Sequence, residues 1–361
     1  MERRSEVLKR LVLAPLLASC LGLTACAVPT FETDFAASST GTDATKTFSY
    51  VYEDVTGDPN RRETGKTDKT REDLHLVLAL SGVGSKGSAF AFGVLEALKD
   101  VKADNGDTLL DQVDVISAVS ATSGVAMSFG LARNEIFDPN NDEHYVLTKH
   151  PLRWEADTLG FVFDTILKPF SVRRLLTLSV LERYSIPDLI ADYFSGEVFD
   201  EATYRTLVKQ LRRHGGKPYI ILGASDIVRG QRFEFSQPHF DFLCSDLGSI
   251  KIGRAVAAAS IPPVLTTGVR LRNFPKSKCP VYIQDEIDRI GRILSDHKSA
   301  RRGINTYLRD KSGAHEKRTS FVHLTDGTIV DSLALRPIVE GLNRWGNGMD
   351  ASRDWKLAAE G

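Results

Sequence analysis

The chain has 361 residues, of which 42% are hydrophobic, and its formal net charge is −1. This near-neutral balance gives no electrostatic basis for binding nucleic acid, so we predict no nucleic-acid partner. No spacing typical of a metal site is present, and we predict neither a metal nor a cofactor.

Residues 1–25 have the pattern of an export signal. Four basic residues precede an apolar stretch, Leu11–Leu23, which is too short to span a bilayer as a stable helix. The stretch ends in Leu-Thr-Ala-Cys, which resembles a bacterial lipobox and predicts cleavage before Cys26 and lipidation of its sulfur. Cleavage before Cys20 fits the same pattern but leaves a shorter apolar region. The remaining alternative is an ordinary secretory peptide with an incidental cysteine.

The expected location is the cell envelope. Residues 26–72 are rich in Thr, Asp, Ser and Gly and predict a tether from the lipidated cysteine, although residues 47–52 could form one edge strand. Ala27 replaces the Asp that commonly retains bacterial lipoproteins in the inner membrane, which favours the outer membrane, facing the periplasm. In that oxidising compartment Cys244 and Cys279 either pair as a disulfide or remain two buried thiols.

From residue 73 onward, short apolar runs alternate with helical patterns. Buried strands are predicted at 74–80, 113–117, 219–224 and 321–325, and helices at 88–99, 123–133, 186–213, 252–259 and 283–297. This alternation is typical of an α/β sheet covered by helices, which predicts one domain over residues 73–361. Within it, residues 151–215 form a helical insertion that either packs as a subdomain or covers a hydrophobic site.

The first predicted strand ends in a glycine-rich loop. The loop consists of Gly82, Val83, Gly84, Ser85, Lys86 and Gly87, and a helical pattern follows it. Glycines let backbone N–H groups approach a ligand closely, and a helix N-terminus adds positive charge, so the loop suits a phosphate or a developing oxyanion. A Walker loop is excluded because Ser88 and Ala89 follow the last glycine. A dinucleotide fingerprint is the alternative, but its acidic partner would be Asp104 or Asp107, in a polar loop.

The second predicted strand leads into a serine at a strand-to-helix turn. It continues as Ala118-Val119-Ser120-Ala121-Thr122, and small residues around such a serine are typical of a nucleophile elbow, usually G-x-S-x-G. Thr122 is β-branched and is expected to strain a turn of this kind. Ser117 and Ser123 lie nearby, so the choice of nucleophile depends on the register of the turn. The alternative for each of these serines is a structural role.

A nucleophilic serine needs a base, and the last predicted strand ends in an acid. Asp326 stands beside Gly327 at this strand end, where α/β sheets place functional groups; the alternative is an Asp that starts an Asx turn. His323 is the last histidine of the chain, and a strand would direct it and Asp326 to opposite faces. The sequence therefore favours a Ser–Asp dyad over a Ser–His–Asp triad.

These three places together resemble the patatin-like phospholipase family, in its exported bacterial branch. The matching motifs are the G-G-G-x-R/K-G loop at 82–87, the serine elbow at 118–122 and the D-G-G/A motif at 326–328. Val83 replaces a glycine in the first motif, and Thr328 departs from the third. The run 255–262 also resembles the helix-to-proline segment of these proteins, and the likeness covers residues 73–340.

The resemblance implies a patatin-like three-layer sandwich, with a central mostly parallel sheet and helices on both faces. It implies a serine-dependent lipid acyl hydrolase, of phospholipase A or carboxylesterase type, that acts on a phospholipid or other acyl ester of the membrane. Ser120 would be the nucleophile and Asp326 the general base. The glycine-rich loop would form the oxyanion hole, with the backbone N–H groups of Gly84 and Ser85 as donors.

Two departures from the family support an alternative function. Thr122 occupies a glycine position of the elbow. Exported family members continue with another strand and helix after the Asp motif, whereas residues 343–361 are polar and lack a strand-like run, so we expect a truncated or frame-altered C-terminal end. The alternative is a catalytically weak or inactive lipoprotein of the same fold that binds lipid or a partner.

Overall fold

In the computed structural model of the chain, the residues described are 48, 50, 55, 76–82, 84–103, 106–137, 186–263, 268–275, 279, 284 and 321–340. The chain divides into two units, and all of these residues belong to the second, Glu32–Gly361. Several sequence predictions fall outside the described residues: the signal peptide 1–25, Cys26, Val83, most of the helix at 283–297 and the tail after 343.

The described part of the chain alternates strands with helices in the following order. The elements are β1 Leu76–Leu80, α1 Gly84–Asp100, β2 Val113–Val119, α2 Thr122–Ala132, α3 Ile186–Tyr193, α4 Tyr204–Arg213, β3 Tyr219–Asp226, β4 Gln231–Glu234, α5 Gln237–Leu243, α6 Ile252–Ser260, β5 Val269–Arg272, β6 Phe321–Asp326 and α7 Thr328–Asp331. Two short 3₁₀ segments, Arg133–Phe137 and Leu247–Ser249, and a π-helical segment, Phe194–Val198, join them.

The six strands of the described residues all belong to one sheet, which confirms the prediction of an α/β fold. β1, β2 and β3 are parallel neighbours, and β3 pairs in antiparallel fashion with both β4 and β6. β5 lies antiparallel to β6 at the end of the sheet, so it runs in the same direction as β1, β2 and β3. Four of the six described strands therefore point in the same direction, so the sheet is mostly parallel by strand direction, although three of the five strand pairings are antiparallel.

The helix after β2 is the centre of the core. All of its residues, Thr122–Ala132, are buried, and it packs against β2 and three other helices, α1, α4 and α6. A helix that is apolar all round is expected in such a position. Gly130 makes the close packing possible, because a Cβ there would approach Ile220 to 2.5 Å and Leu207 to 2.8 Å.

The helical pattern predicted over 186–213 is confirmed in α3 and α4, but the two helices are not continuous with each other. α3 passes into the π-helical segment Phe194–Val198, and a new helix, α4, begins after Thr203, whose side chain caps it. The break lets α6 approach closely, since a Cβ on Gly253 would lie 2.6 Å from the Cα of Ser195. The apolar pattern continues through the break, so periodicity alone could not reveal it.

The described end of the helical insertion packs onto the core through a buried ion pair. Arg254 on α6 binds Asp188 on α3 at 3.1 Å and also donates to the carbonyl oxygen of Arg270 on β5 at 2.5 Å. Both paired side chains are nearly inaccessible to solvent. The insertion up to residue 185 lies outside the described residues. Within the described part of the chain, no helix is both long and apolar enough to cross a membrane.

Two residues of the predicted tether belong to the core. Tyr50 and Val55 are buried, and the Tyr50 hydroxyl donates to the carbonyl oxygen of Ile220 at 2.7 Å and accepts from its N–H at 3.2 Å. The Tyr50 ring also stacks on Tyr219 with centroids 4.8 Å apart. Burial raises the pKa of the Tyr50 hydroxyl above its ordinary value, against the smaller opposing effect of the hydrogen bond to Ile220. The fold therefore uses residues that lie inside the 26–72 segment.

Candidate functional site

The sheet brings the ends of β2 and β6 together. β2 runs parallel to β3 and ends with Val119 opposite Gly223, whereas β6 runs antiparallel to β3 and ends with Asp326 opposite Ala224. β2 and β6 thus run in opposite directions along β3, and their last residues pair with two consecutive residues of β3, Gly223 and Ala224. Ser120, the residue after β2, meets Asp326 at this junction.

Two glycines allow the strand ends to come this close. A Cβ on Gly327 would collide with the carbonyl oxygen of Gly223, and it would approach the side chain of Val119 to 3.1 Å. A Cβ on Gly223 would reach the same Val119 side chain at 3.0 Å. A side chain at position 327 would clash with the neighbouring strand, so the Asp-Gly pair requires its glycine for steric reasons.

Ser120 occupies a strained turn between β2 and α2. Its φ is +56°, a conformation that costs an L-residue about 1–2 kcal/mol, and such strain is common at functional sites. The Ser120 hydroxyl donates to Oδ2 of Asp326 at 2.8 Å, and the residue is only 5% exposed. Ser117 lies within β2 and Ser123 in the first turn of α2, both buried. The register therefore places Ser120 at the turn.

The C-terminal end of α6 holds the nucleophile turn and the acid turn together. The carbonyl oxygen of Ala259 accepts from the N–H of Ser120 at 3.1 Å and from the N–H of Gly327 at 3.0 Å. Two residues further along the chain, the carbonyl oxygen of Ile261 accepts from the N–H of Asp326 at 2.9 Å. The alanine-rich run that the sequence singled out is the element that fixes the distance between the two turns.

The second oxygen of Asp326 is also bound. Oδ1 accepts from the Thr328 N–H at 2.9 Å and from the Thr328 hydroxyl at 2.8 Å. The first of these bonds makes an Asx turn, so the Asx turn and the contact with the serine, which the sequence left as alternatives, are both present. The Ser225 hydroxyl donates to the backbone oxygen of Asp326 at 2.8 Å. Sequence reasoning noted Thr328 only as a departure from the family and missed Ser225.

The glycine-rich loop lies directly against the serine turn. A Cβ on Gly82 would collide with the carbonyl oxygen of Val119 and would lie 2.7 Å from the Cβ of Ser120. The Ser81 hydroxyl donates to the carbonyl oxygen of Ser332 at 3.0 Å, which ties the loop to the segment that follows Asp326. The structure therefore brings all three sequence motifs to one place.

Thr122 fastens the loop to the elbow, contrary to the expectation that it would strain the turn. The positive φ falls on Ser120, whereas Thr122 is the first residue of α2. Its hydroxyl lies 2.8 Å from the carbonyl oxygen of Leu80, at the end of β1, and 2.7 Å from that of Val119. The one hydroxyl proton is thus shared between the ends of both strands, and a glycine at this position could not provide it.

Two helix N-termini point to the serine turn, because α1 starts in the glycine-rich loop and α2 starts just after Ser120. α1 begins at Gly84, whose φ of +58° favours glycine. The N–H groups of the first turn of a helix have no acceptor within the helix, so they can bind an anion. Lys86 is exposed in this turn, and Gly87 packs back on the start of the loop. Val83 and the side chain of Ser85 lie outside the described residues.

The remaining two cysteines are joined in the structure. Cys244, the left-handed residue that ends α5, forms a disulfide with Cys279, and their Cα atoms are 4.6 Å apart. In the part of the chain that the structure describes, no three His, Cys, Asp or Glu side chains are grouped as a metal site. Comparisons with models of known protein families, with curated proteins and with solved structures gave no match for this chain.

Proposed function

We propose that the chain is a serine-dependent acyl-ester hydrolase with a Ser120–Asp326 dyad, built on a patatin-like three-layer sandwich. The observation that carries this proposal is the 2.8 Å hydrogen bond from the Ser120 hydroxyl to Asp326 Oδ2 at a strained strand-to-helix turn. A nucleophile within hydrogen-bond distance of its base is the arrangement that acyl transfer requires.

In the proposed reaction, Asp326 Oδ2 accepts the hydroxyl proton while Ser120 Oγ attacks the ester carbonyl carbon. The tetrahedral intermediate then expels the alcohol, which takes the proton from Oδ2, and an acyl-serine remains. Water repeats the sequence: Oδ2 takes a proton from it, the hydroxide adds to the acyl carbon, and the acid leaves as Ser120 is restored. Each step moves one proton between Oδ2 and an oxygen bound to the reacting carbon.

The glycine-rich loop would stabilise the negative charge of the tetrahedral intermediate. Its position against Ser120 supports this role, as do the N–H groups at the start of α1, which have no acceptor within the helix; Gly84 and Ser85 are the proposed donors. A single oxyanion donor contributes about 2.7–4 kcal/mol to the stability of such a transition state.

Apolar surface beside the site favours a lipid ester as substrate. Three large apolar side chains are exposed in the segment just after Asp326: Ile329 at 55%, Leu333 at 55% and Leu335 at 41%. The segment borders the site at both ends, since Thr328 binds Asp326 and Ser332 binds the loop. Lipidation at Cys26 would anchor the chain to a membrane, and we propose an outer-membrane location facing the periplasm.

The experiment is the hydrolysis of a short-chain p-nitrophenyl ester and of phospholipid vesicles by the purified protein. Wild type should release product from both, and Ser120→Ala and Asp326→Asn should lose the activity. Ser128→Ala is the matched control, because the Ser128 hydroxyl is buried in the same helix region and has no partner among the described residues. Equal rates for wild type and Ser120→Ala would overturn the proposal and leave a lipid- or partner-binding lipoprotein.

A further inference from the structure

We propose that Thr328 is a positioning residue that determines which oxygen of Asp326 serves as the base. The inference rests on the proposed hydrolase function, because it assigns a role within that dyad. It concerns the residue at which this chain departs from the Asp-Gly-Gly/Ala pattern.

Thr328 binds one oxygen of the carboxylate with two donors and leaves the other for the serine. Its N–H lies 2.9 Å and its hydroxyl 2.8 Å from Oδ1, while Ser120 donates to Oδ2 at 2.8 Å. The other described bonds to Asp326 reach its backbone: Ser225 binds the carbonyl oxygen, and the N–H binds Ile261. They fix where the residue is but not how its carboxylate is turned.

The orientation of a carboxylate needs such a restraint. The terminal torsion of an Asp side chain is broad and roughly two-fold, so backbone placement alone does not direct a particular oxygen at the serine. The two donors on Oδ1 select one orientation of the carboxylate, in which Oδ2 faces the serine hydroxyl.

The same two bonds decide where the transferred proton stays. Because Oδ1 already accepts from two donors, the proton from Ser120 remains on Oδ2, beside the reacting carbon. From there it can pass directly to the leaving alcohol oxygen. A carboxylate free to turn would carry the proton away from the leaving group, and turnover would slow although the substrate still binds.

The test compares Thr328→Val, which removes the hydroxyl and keeps the shape, with Thr328→Ser, which keeps the hydroxyl. Thr206→Val is the matched control, because Thr206 is a partly buried threonine of the α4 cap, away from the dyad. We expect Thr328→Val to lower kcat about tenfold at an unchanged KM, since one charge-assisted hydrogen bond is lost. Thr328→Ser should stay close to wild type, as should Thr206→Val.

Two kinetic results would overturn the proposal: an unchanged kcat in Thr328→Val, or an equal loss in Thr328→Val and Thr328→Ser. If Thr328→Val does not fold, Thr328→Ala takes its place in both comparisons. Crystal structures of wild type and Thr328→Val give a readout that does not depend on activity. An Asp326 carboxylate that keeps its orientation in the variant refutes the positioning role, and an inactive wild type refutes the hydrolase function separately.

Discussion

A single added methyl group tests the contact between the glycine-rich loop and the serine turn. In Gly82→Ala the new Cβ would collide with the carbonyl oxygen of Val119 and lie 2.7 Å from the Cβ of Ser120. Gly82 does not have a positive φ, so alanine can adopt its backbone conformation and the substitution tests space alone. The loop, the turn or both must move apart.

The expected cost follows from the atoms that the methyl group meets. Overpacking a tight interior typically costs about 1–3 kcal/mol, and we expect the upper end here because one obstacle is a backbone oxygen fixed in the sheet. A loss of about 3 kcal/mol lowers the Tm of a chain of this size by about 4 °C. Displacement of one oxyanion donor would also lower kcat by about 10²-fold or more.

The matched control is Gly93→Ala, the same chemical change within α1. A Cβ on Gly93 has no atom within 4 Å, so this variant should gain about 0.5–1 kcal/mol from helix propensity and keep full activity. Thermal unfolding and ester hydrolysis are measured on both variants. If Gly82→Ala has the Tm of wild type and hydrolyses the ester at the same rate, the loop does not lie against the elbow and the site described above is wrong.

Three further predictions concern stability. Thr122→Val should lose about 1–3 kcal/mol in denaturant unfolding, because the hydroxyl proton shared by two strand-end carbonyl oxygens is removed, whereas Thr122→Ser should not; equal losses would refute this role of the hydroxyl. The pKa of Tyr50 is raised in the folded chain, so the unfolded chain releases the tyrosine proton at a lower pH than the folded chain does. The free energy of unfolding should therefore be unaffected by this group below the ordinary tyrosine pKa of about 10 and should fall as the pH rises above it. Tyr50→Phe should make this alkaline slope shallower without removing it, because burial also raises the pKa of Tyr204; an unchanged slope would contradict the burial of Tyr50. Cys244→Ser opens a link across a sequence separation of 35 and should cost about 4 kcal/mol on the loop-entropy account; the same unfolding midpoint with and without reductant would argue against the disulfide.

The sequence predicted the elements whose patterns are local. The buried strands lie where runs of continuous apolar residues predicted them. The helices that begin at the glycine-rich loop and after Ser120 lie where periodicity and turn chemistry predicted them. The break in the helix predicted over 186–213 was missed, because the apolar pattern runs through it; the close packing of Gly253 against the break is a contact between distant parts of the chain. Strands β4 and β5 were missed because four residues show too little alternation.

The site could be predicted as three separate motifs but not as one arrangement. Ser120 and Asp326 are 206 residues apart, and only the register of β2 and β6 on β3 brings them together. The expected effect of Thr122 was wrong for a related reason: a β-branched residue was judged by the turn alone, whereas its hydroxyl binds a neighbouring strand. Contacts between elements that are distant in sequence leave no local pattern.

The most direct test of the central claim is covalent labelling of the purified protein with a fluorophosphonate, followed by mass spectrometry of its peptides. An activated serine attacks the phosphorus, displaces fluoride and keeps the phosphonyl group on its oxygen. The account predicts one adduct, on Ser120, at full occupancy in wild type, abolished in Asp326→Asn and unaffected in Ser123→Ala. An unlabelled protein, or an adduct on Ser117 or Ser123 in place of Ser120, would contradict it.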